Sequence, residues 1–363
     1  FTLEMGTDKA VFVPRGVANG YQALEANTTY SYLVNDHWSP EARASYTYVN
    51  LADETAAIEW PIPLSEAIIS DADLAHPRLA DVVPMAPRRT VIVGAGGQLG
   101  RALQEVFPDA EALDRSRLDL TDRDAVRAFP WSGVGTIINA AAWTAVDAAE
   151  TDEGRRGAWS GNVDAVAHLV GVCREHRITL VHVSSDYVFD GQTEVHTEDE
   201  PVAPLGVYGV TKATADALVQ TLPDHYIVRT SWVIGEGRNF VRTMADLARR
   251  GIEPSVVDDQ YGRLTFTTTL ADGIQHLLQA RPAPGIYNLT NSGPTRSWFD
   301  IAREVFTLVG ADPETVSPQA TADFAAGKVM SPRPRHSTLD LTKIQATGFT
   351  PPDADEALRA YLS

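Results

Sequence analysis

Cysteine is nearly absent from this chain of 363 residues, in which Cys173 is the single one. A lone thiol excludes an intramolecular disulfide and favours a reducing compartment, and we interpret Cys173 as a small buried residue. No apolar run reaches the roughly 18 residues that a membrane-spanning helix needs, and no signal peptide is visible. We therefore expect a cytoplasmic protein without a membrane partner.

Positive charge is also scarce. Lysine and arginine number 30 against 48 aspartates and glutamates, which gives a formal net charge of −18. This balance argues against nucleic acid and anionic membranes as partners, although a local basic pocket could still bind an anionic substrate. The apolar fraction of 44% is that of a globular protein with a core, and the length predicts two domains.

Residues 1–80 contain no helix-length periodic segment before about Ser65. Short runs of β-branched and aromatic residues, separated by turn residues, predict a partial all-β segment there. The predicted strands cover residues 10–13, 28–34 and 45–49. Residues 81–89 contain prolines and form the predicted linker to a second domain at 90–363. The chain begins at Phe1 rather than at a methionine, which suggests a piece of a longer protein.

From Thr90 onwards strands alternate with helical segments, which is typical of a parallel doubly wound sheet. The first strand, at 90–93, runs into glycines spaced G-x-x-G-x-x-G and then into a helical segment. A strand, a tight glycine turn and a helix start form the phosphate-binding unit of a dinucleotide fold. An ordinary glycine-rich turn is the alternative. The candidate coenzyme contacts are Gly94, Gly97, Gln98, Leu99 and Gly100.

Acidic residues follow the glycine turn at the distance where a dinucleotide fold binds ribose. Asp114 lies twenty residues beyond Gly94 and could bind the ribose hydroxyls of NAD. Arg115 and Arg117 beside it could instead bind the 2′-phosphate of NADP, so the choice between NADH and NADPH stays open. Asp119 is a candidate for the adenine edge. Small alanines that would let a flat coenzyme approach the sheet, or that simply pack, are Ala140, Ala141 and Ala142.

Tyr208 and Lys212 stand four apart in a helical segment and therefore share one helix face. We expect the ammonium to lower the pKa of the phenol, which could protonate a carbonyl oxygen as hydride reaches its carbon. Ser185 ends a predicted strand, where open α/β sheets place ligands, and could hydrogen-bond the same oxygen. We expect His182 to be a core or coenzyme-side residue, and Asn162, a poor helix former, to have a structural or water-positioning role.

Five further sequence motifs are found in the same part of the chain, at 139–147, 184–191, 228–233, 259–265 and 333–340. Together they closely resemble the dTDP-4-dehydrorhamnose reductase family, an extended branch of the short-chain dehydrogenases/reductases, over residues 89–363. The resemblance implies a Rossmann-type sheet with a smaller substrate-binding subdomain, mainly within 235–275 and 285–340. It also implies reduction of the C4 ketone of dTDP-4-dehydro-L-rhamnose to dTDP-L-rhamnose, with NADPH or NADH as the donor.

The resemblance implies roles for the residues at matching positions. Tyr208 would be the acid that donates the proton, and Lys212 would modulate this acid and bind the ribose. Ser185 would fill a position that is often threonine. The implied substrate contacts are Asp186, Trp232, Arg263 and Arg333, with surface loop arginines as the alternative for the last two. Leu264 departs from the usual proline, which affects backbone shape more than chemistry. Some members have an acidic metal cluster, but no matching cluster is found here, so no metal is predicted.

The sequence motifs at 13–21, 38–40, 58–61 and 70–77 resemble the C-terminal half of dTDP-4-dehydrorhamnose 3,5-epimerase, a cupin-type jelly roll. The resemblance implies that Tyr32 protonates the sugar and that Asp73 pairs with the catalytic histidine, while Asn19 departs from a common histidine. The catalytic histidine would precede Phe1, and neither His37 nor His76 matches it. We therefore expect an inactive epimerase remnant or fragment. Its open strand edge would favour a homodimer.

Two other functions are compatible with the fold. A nucleotide-sugar dehydratase or C4 epimerase belongs to the same extended family, but Ser185, Asp186 and Tyr187 include no glutamate for elimination. A non-catalytic binding module, like the regulatory subunit of methionine adenosyltransferase, also shares the fold, but the intact Tyr208 and Lys212 argue against it. Epimerase and reductase catalyse consecutive steps on one substrate, so the two resemblances support each other.

Overall fold

A computed structural model describes residues 1–363 apart from residues 5, 7, 15 and 35–45. The chain divides into two compact units, residues 1–87 and 88–363. The epimerase-like motif at 38–40 and His37 lie outside the described residues.

The first unit contains a short helix, α1 (Asp71–Leu74), and a 3-10 turn (Leu79–Asp81). Its described residues pair into no β-ladder, so the strands predicted at 10–13 and 28–34, and at 45–49 as far as described, are not formed in this structure. The physical reason is that a run of β-branched and aromatic residues indicates a preference for extended backbone, whereas a strand also needs a neighbour that shares its hydrogen bonds.

Two polar side chains organise the described part of this unit. Asn50 and Asp53 are 7% and 4% exposed and are the only buried residues among those described there. Asn50 Nδ2 donates to the carbonyl oxygens of Leu74 and His76, at 2.9 Å each. The Asp53 carboxylate accepts three backbone N–H groups, including that of Leu79 at 2.7 Å. Hydrogen bonds, rather than an apolar core, therefore connect these segments.

The second unit is built on a parallel sheet. Its strands are β1 (Arg89–Val93), β2 (Glu111–Leu113), β3 (Val134–Asn139), β4 (Thr179–Ser185), β5 (His225–Thr230), β6 (Val233–Ile234), β7 (Ser255–Val257), β8 (Tyr261–Gly262), β9 (Thr265–Phe266), β10 (Gly285–Asn288), β11 (Arg296–Ser297) and β12 (Ser317–Gln319). Six of them lie in the order β10-β5-β4-β3-β1-β2, all parallel. The order reverses between β1 and β3, where open α/β sheets bind ligands. The predicted doubly wound sheet is confirmed.

Helices cover both faces of this sheet. The helices of the second unit are α2 (Gln98–Val106), α3 (Arg123–Ala128), α4 (Asp152–Trp159), α5 (Ala165–His176), α6 (Val207–Val219), α7 (Phe240–Arg249), α8 (Thr267–Ala280), α9 (Trp298–Leu308), α10 (Thr321–Ala325), α11 (Thr342–Ala346) and α12 (Ala354–Leu362), with 3-10 turns at Ala148–Glu150, Asp186–Val188 and Pro313–Thr315. Neighbouring residues of β1 point to opposite faces. Ile92 joins the apolar cluster that contains Leu103, whereas Val91 joins the one that contains Leu169.

A third apolar cluster lies outside the large sheet. Val241 of α7, Val305 of α9 and Leu358 of α12 are among its buried members. The small sheets β6/β9, β7/β12 and β8/β11 belong to the same part of the chain. Helices α7 and α9 fall within the ranges 235–275 and 285–340, for which we predict substrate binding.

The helix that follows β3 is interrupted, because a π-helical turn, Ser160–Asp164, joins α4 to α5. Such turns are frequent at functional sites. Inside it, the buried Asn162 accepts a hydrogen bond from the Trp143 backbone N–H at 2.7 Å and donates to Thr211 Oγ1 at 3.0 Å. Asn162 therefore connects the segment after β3 to helix α6, which is a structural role.

Candidate active site

The turn between β1 and α2 is shaped by two glycines that have no room for a side chain. Gly94 has a φ of +78°, and a Cβ there would lie 2.4 Å from the backbone nitrogen of Ala141. A Cβ on Gly100 would lie 2.3 Å from the carbonyl oxygen of Gly94. Gly97, the N-cap of α2, has only an ordinary contact at 3.4 Å. The first N–H groups of α2 have no partner within the helix, so this turn offers donors to an anion.

Charged residues of both signs lie directly after β2. Asp114 accepts hydrogen bonds from the backbone N–H groups of Ser116 and Arg117, and the Ser116 hydroxyl has the largest part in lowering the pKa of this carboxyl. Arg117 also donates to a backbone carbonyl of β2, and Arg115 pairs with Asp119 at 3.1 Å. A carboxylate for ribose hydroxyls and guanidinium groups for a phosphate are therefore both present.

Ser185 ends β4, and Tyr208 lies in the first turn of α6. Tyr208 is 8% exposed. Burial raises the pKa of its phenol to about 12; the charge of Asp186 acts in the same direction, and the hydroxyl of Ser185 acts against both. The phenol is therefore protonated at neutral pH, which is the state that a proton donor requires.

Lys212 lies one turn after Tyr208 and is 2% exposed. Its Nζ donates to the Val183 carbonyl oxygen at 2.7 Å and lies 3.4 Å from His182 Nε2. Burial lowers the pKa of Lys212 to about 8, while the charge of Asp216 raises it. The amine thus faces β4, and burial brings its pKa closer to neutral pH than that of an ordinary lysine.

The expected effect of Lys212 on Tyr208 is wrong for this structure. The pKa of the phenol is raised rather than lowered. The reason is that burial, which penalises the phenolate, is the largest influence, while Lys212 Nζ is hydrogen-bonded to the carbonyl oxygen of Val183. The two residues do share one face of α6, as their spacing predicts.

Asp186 is the substrate candidate that lies nearest to the predicted catalytic residues. It is 2% exposed and accepts a hydrogen bond from Ser185 Oγ at 2.9 Å. Burial raises the pKa of this carboxyl to about 6, against the effect of neighbouring hydroxyls. Tyr187 packs edge-on against Tyr208, with ring centroids 5.4 Å apart. The structure therefore brings Ser185, Asp186 and Tyr208 together.

Trp232 is held in a strained conformation by its neighbours. Its φ of +46° is in the left-handed region, which costs free energy for any residue other than glycine and persists where surrounding contacts enforce it. The indole stacks on Trp298 with centroids 3.7 Å apart. A Cβ on Gly262 would lie 2.8 Å from the indole ring, so that glycine makes space for it. Strain of this kind concentrates at functional sites.

The two candidate arginines occupy adjoining segments with different partners. The chain from Arg333 to Leu339 runs beside β8, where the Tyr261 N–H donates to the Arg335 carbonyl oxygen at 2.7 Å. Arg263 Nη1 donates to the Leu339 carbonyl oxygen at 3.5 Å, and burial lowers the pKa of its guanidinium. Arg333 pairs with Asp147 at 3.0 Å. The structure thus shows Arg333 with a carboxylate partner and Arg263 with a backbone partner.

Sequence reasoning missed several neighbours of the site. Trp298 supports Trp232, and Asp147 pairs with Arg333 across 186 residues of sequence. Neither contact has a local signal in the sequence. Asn139 does have one, since a polar residue that ends a buried strand needs hydrogen-bond partners. Its side chain is 1% exposed and contacts His182 at 3.0 Å.

The epimerase-like candidates in the first unit are not brought together by a contact. Tyr32 is 69% exposed and packs near Tyr30. Asp73 accepts a hydrogen bond from Ser70 Oγ and lies 3.5 Å from His76 Nε2. Among the described residues, no hydrogen bond or ring contact joins Tyr32 to Asp73.

Three further features bear on the initial expectations. Cys173 is buried and free, and burial raises the pKa of its thiol to about 12. Within the described residues, no group of three or more His, Cys, Asp or Glu side chains is placed to hold a metal ion. The described helices include none with the length and apolar character needed to cross a membrane.

Two protein families match the two units. The family described as the RmlD substrate binding domain matches residues 88–363. The family described as dTDP-4-dehydrorhamnose 3,5-epimerase matches residues 1–81. Each match agrees with the resemblance found for that part of the sequence.

Individual relatives of the second unit are reductases. The chain is 40% identical to a dTDP-4-dehydrorhamnose reductase of Streptomyces griseus, over 74% of this chain and 90% of that protein. It is 40% identical to one of Aggregatibacter actinomycetemcomitans, over 75% of this chain and 99% of that protein. A solved dTDP-4-dehydrorhamnose reductase from Bacillus anthracis, in complex with NADP, superimposes with a TM-score of 0.70 at 32% identity and covers 76% of this chain and 99% of its own.

Proposed function

The chain belongs to the family of the RmlD substrate binding domain, whose relatives are dTDP-4-dehydrorhamnose reductases, and from this premise we propose that it is a reductase of the same kind. It reduces the C4 ketone of dTDP-4-dehydro-L-rhamnose to the alcohol of dTDP-L-rhamnose. The donor is NADPH or NADH. The observation that carries this proposal is the buried phenol of Tyr208 close to Ser185 at the carboxyl end of β4.

The glycine turn fits a dinucleotide coenzyme. Gly94 and Gly100 leave a cradle that any Cβ would fill, because it would come within 2.4 Å of the backbone. The residues that would hold the coenzyme are Gly94, Gly97, Gln98, Leu99, Gly100, Asp114, Asp119, Ala140, Ala141, Ala142 and Lys212. NADPH or NADH bound there would supply the hydride that converts the carbonyl carbon to an alcohol carbon.

Tyr208 supplies the proton that completes the reduction. The Tyr208 O–H would give its proton to the carbonyl oxygen of the substrate, on which negative charge develops during the reduction. Ser185 stabilises the same oxygen with its hydroxyl, whose single proton must first leave the Asp186 carboxylate that accepts it in this structure. The phenol is protonated at neutral pH both at its ordinary pKa and at the raised one, so its proton is available when the alkoxide forms.

The substrate is held by residues from two regions of the second unit, the turn that follows β4 and the segments that follow β5 in the chain. Asp186 and Trp232 line the sugar, and the two arginines Arg263 and Arg333 bind the diphosphate, whose geometry suits a guanidinium fork. Arg333 must then exchange its ion pair with Asp147 for the substrate. The substrate-binding portions of this unit lie mainly within 235–275 and 285–340.

The first unit, at 1–80 with a linker at 81–89, is on this proposal a remnant or fragment of the preceding 3,5-epimerase. Tyr32 and Asp73 would be its functional residues. The reductase domain covers 90–363, acts in the cytoplasm on a small-molecule substrate, and binds neither nucleic acid nor membrane. The exposed apolar residues of the first unit, such as Phe12 and Leu33, are compatible with a homodimer.

Coenzyme oxidation tests the proposal. The substrate is dTDP-4-dehydro-6-deoxyglucose, offered with and without a separate 3,5-epimerase, and the loss of NADPH or NADH absorbance is followed. We expect turnover only when the separate epimerase is present, and Tyr208→Phe should bind the coenzyme as tightly as the wild type but reduce almost nothing.

Each other outcome has a distinct meaning. Turnover without the added epimerase would show that residues 1–80 still epimerise. Absence of turnover with either coenzyme, with wild type and Tyr208→Phe binding the coenzyme equally, would contradict the reductase proposal and favour a binding module.

A further inference from the structure

A chain of buried polar atoms runs from Asn139 of β3 through His182 of β4 to Lys212, and its first two residues have no part in the chemistry described above. Asn139, His182 and Lys212 are 1%, 0% and 2% exposed. Asn139 Nδ2 lies 3.0 Å from His182 Nδ1, and His182 Nε2 lies 3.4 Å from Lys212 Nζ. Asn139 and His182 are paired residues of neighbouring strands, β3 and β4.

The orientation of the Asn139 amide is fixed by the backbone. Its Oδ1 accepts the N–H of Ala141 at 3.1 Å, and a backbone N–H can only donate. The Nδ2 group, which also only donates, therefore faces His182 Nδ1. That ring nitrogen must accept, so it carries no proton.

This fixes the state of the imidazole. A neutral histidine has one protonated ring nitrogen, so His182 carries its proton on Nε2. Burial and the charge of Lys212 keep the pKa of His182 well below its ordinary value, which agrees with a neutral ring. The Nε2–H group then points at Lys212 Nζ.

An N–H group facing Nζ treats the two forms of Lys212 differently. A neutral amine has a lone pair that accepts the Nε2–H, whereas an ammonium has donors only. We propose that Asn139 and His182 are positioning residues that present a fixed N–H to Lys212 and thereby favour its neutral amine. Lys212 is then able to lose and regain a proton near neutral pH beside the proton donor Tyr208.

Other groups around Lys212 set the limits of this effect. From α6, the charge of Asp216 favours the ammonium, but Asp216 is itself paired with Arg229 of β5 at 3.1 Å. From β4, the Val183 carbonyl oxygen accepts one Nζ–H in either form of the amine. His182 is thus the neighbour whose contact with Nζ depends on which ring nitrogen holds the proton.

Magnetic resonance of isotope-labelled histidine and lysine tests the proposal directly. The chain has four lysines, so the Lys212 signal is identified by its loss in Lys212→Arg, and the His182 signals by their loss in His182→Gln. In the wild type we expect His182 to be protonated at Nε2 only, and Lys212 to titrate below the other lysines.

Two variants of Asn139 remove the hydrogen bond that keeps the proton of His182 on Nε2. Asn139→Ala does so without adding charge, so His182 can place its proton on Nδ1 and accept a hydrogen bond from the Lys212 ammonium through Nε2. In Asn139→Asp the carboxylate accepts a hydrogen bond from Nδ1–H and so holds the proton of His182 on Nδ1. Both should raise the titration midpoint of Lys212, by about one pH unit for the alanine variant. His225→Gln, which alters a buried histidine bonded to the Leu222 carbonyl oxygen, should leave the midpoint unchanged.

The magnetic resonance result does not depend on the proposed function, whereas a second readout does. If the enzyme is a reductase that needs the Lys212 ammonium, the alkaline limb of its kcat/KM profile should move to higher pH in Asn139→Ala, and a purely structural role would not move it. A proton on Nδ1 of His182 in the wild type, or an unchanged Lys212 midpoint in a folded Asn139→Ala, would overturn the proposal. The wild-type measurement decides the matter if the variants fail to fold.

Discussion

The two units of this chain keep their described residues in place by different means. In the second unit, side chains of β1 such as Val91 and Ile92 are 0% exposed and pack into separate clusters on the two faces of the sheet. In the first unit, the buried residues among those described are the polar Asn50 and Asp53. One unit is stabilised by apolar burial, which dominates folding free energies, and the other by hydrogen bonds, whose net contribution is modest.

The same contrast appears in the residues that would form strands. Phe12 and Leu33 of the first unit are 87% and 102% exposed, although their surroundings have strong β propensity. In the second unit, β-branched runs of similar composition are paired with neighbours on both sides. Local propensity is comparable in both cases, so the available partner strands make the difference.

The largest expected effect separates the two units by function. Tyr208→Phe removes the proton donor, and we expect kcat to fall by roughly 10²- to 10⁴-fold with coenzyme affinity unchanged. Tyr32→Phe is the matched substitution in the first unit, where the phenol is exposed, and reduction of the epimerised substrate should continue at the wild-type rate. Steady-state coenzyme oxidation measures both. Equal losses in the two variants would show that this division of function is wrong.

The next effect concerns stability and the coenzyme turn. In Gly100→Ala the new Cβ would meet the Gly94 carbonyl oxygen at 2.3 Å, so the backbone must move. We expect a loss of roughly 1–3 kcal/mol in the free energy of unfolding, as for other overpacked sites, together with weaker coenzyme binding. Gly96→Ala is the control, because its Cβ would lie 3.9 Å from that of Asp114. Denaturant unfolding and coenzyme titration of both variants test this, and a Gly96→Ala loss as large as that of Gly100→Ala would contradict it.

Features that depend on spacing along the chain could be predicted from the sequence. The turn at Gly94 and Gly100, and the shared helix face of Tyr208 and Lys212, follow from short-range periodicity. The parallel sheet follows from alternating strands and helices. These features need no knowledge of which distant residues meet.

Contacts between distant segments could not be predicted in the same way. The pair Arg333 and Asp147 and the stack of Trp298 on Trp232 depend on how loops converge around the sheet. The pKa of Tyr208 moves opposite to expectation because burial is the largest influence on it and the charge of Asp186 acts in the same direction, and burial is a property of the folded chain.

A smaller effect is expected from acid in the first unit. The N–H of Leu79 has the largest part in lowering the pKa of Asp53. A lowered folded pKa means that the carboxylate stabilises the unit at pH values above the ordinary pKa, and that this contribution is lost as pH falls through the folded value. We expect hydrogen-exchange protection within residues 50–81 to decrease below about pH 4, while the strands β1 and β3 keep theirs.

The variant Asp53→Asn sharpens that result. An amide cannot offer two acceptor oxygens, so protection of the Leu79 N–H should be lower at neutral pH and insensitive to acid. Equal acid sensitivity in the wild type and in Asp53→Asn would mean that another carboxylate is responsible.

The smallest expected effect is an absence of reaction at Cys173. Only the thiolate reacts with thiol reagents, and this thiol is 2% exposed with its pKa raised to about 12. It lies in the apolar cluster of α5, so it becomes reactive only when the second unit opens. Under denaturant that has already removed the hydrogen-exchange protection of residues 50–81, we therefore expect no labelling. Labelling that begins at the same denaturant concentration would mean that the apolar core opens as readily as the hydrogen-bonded unit, and the difference in stability inferred from their burial would be wrong.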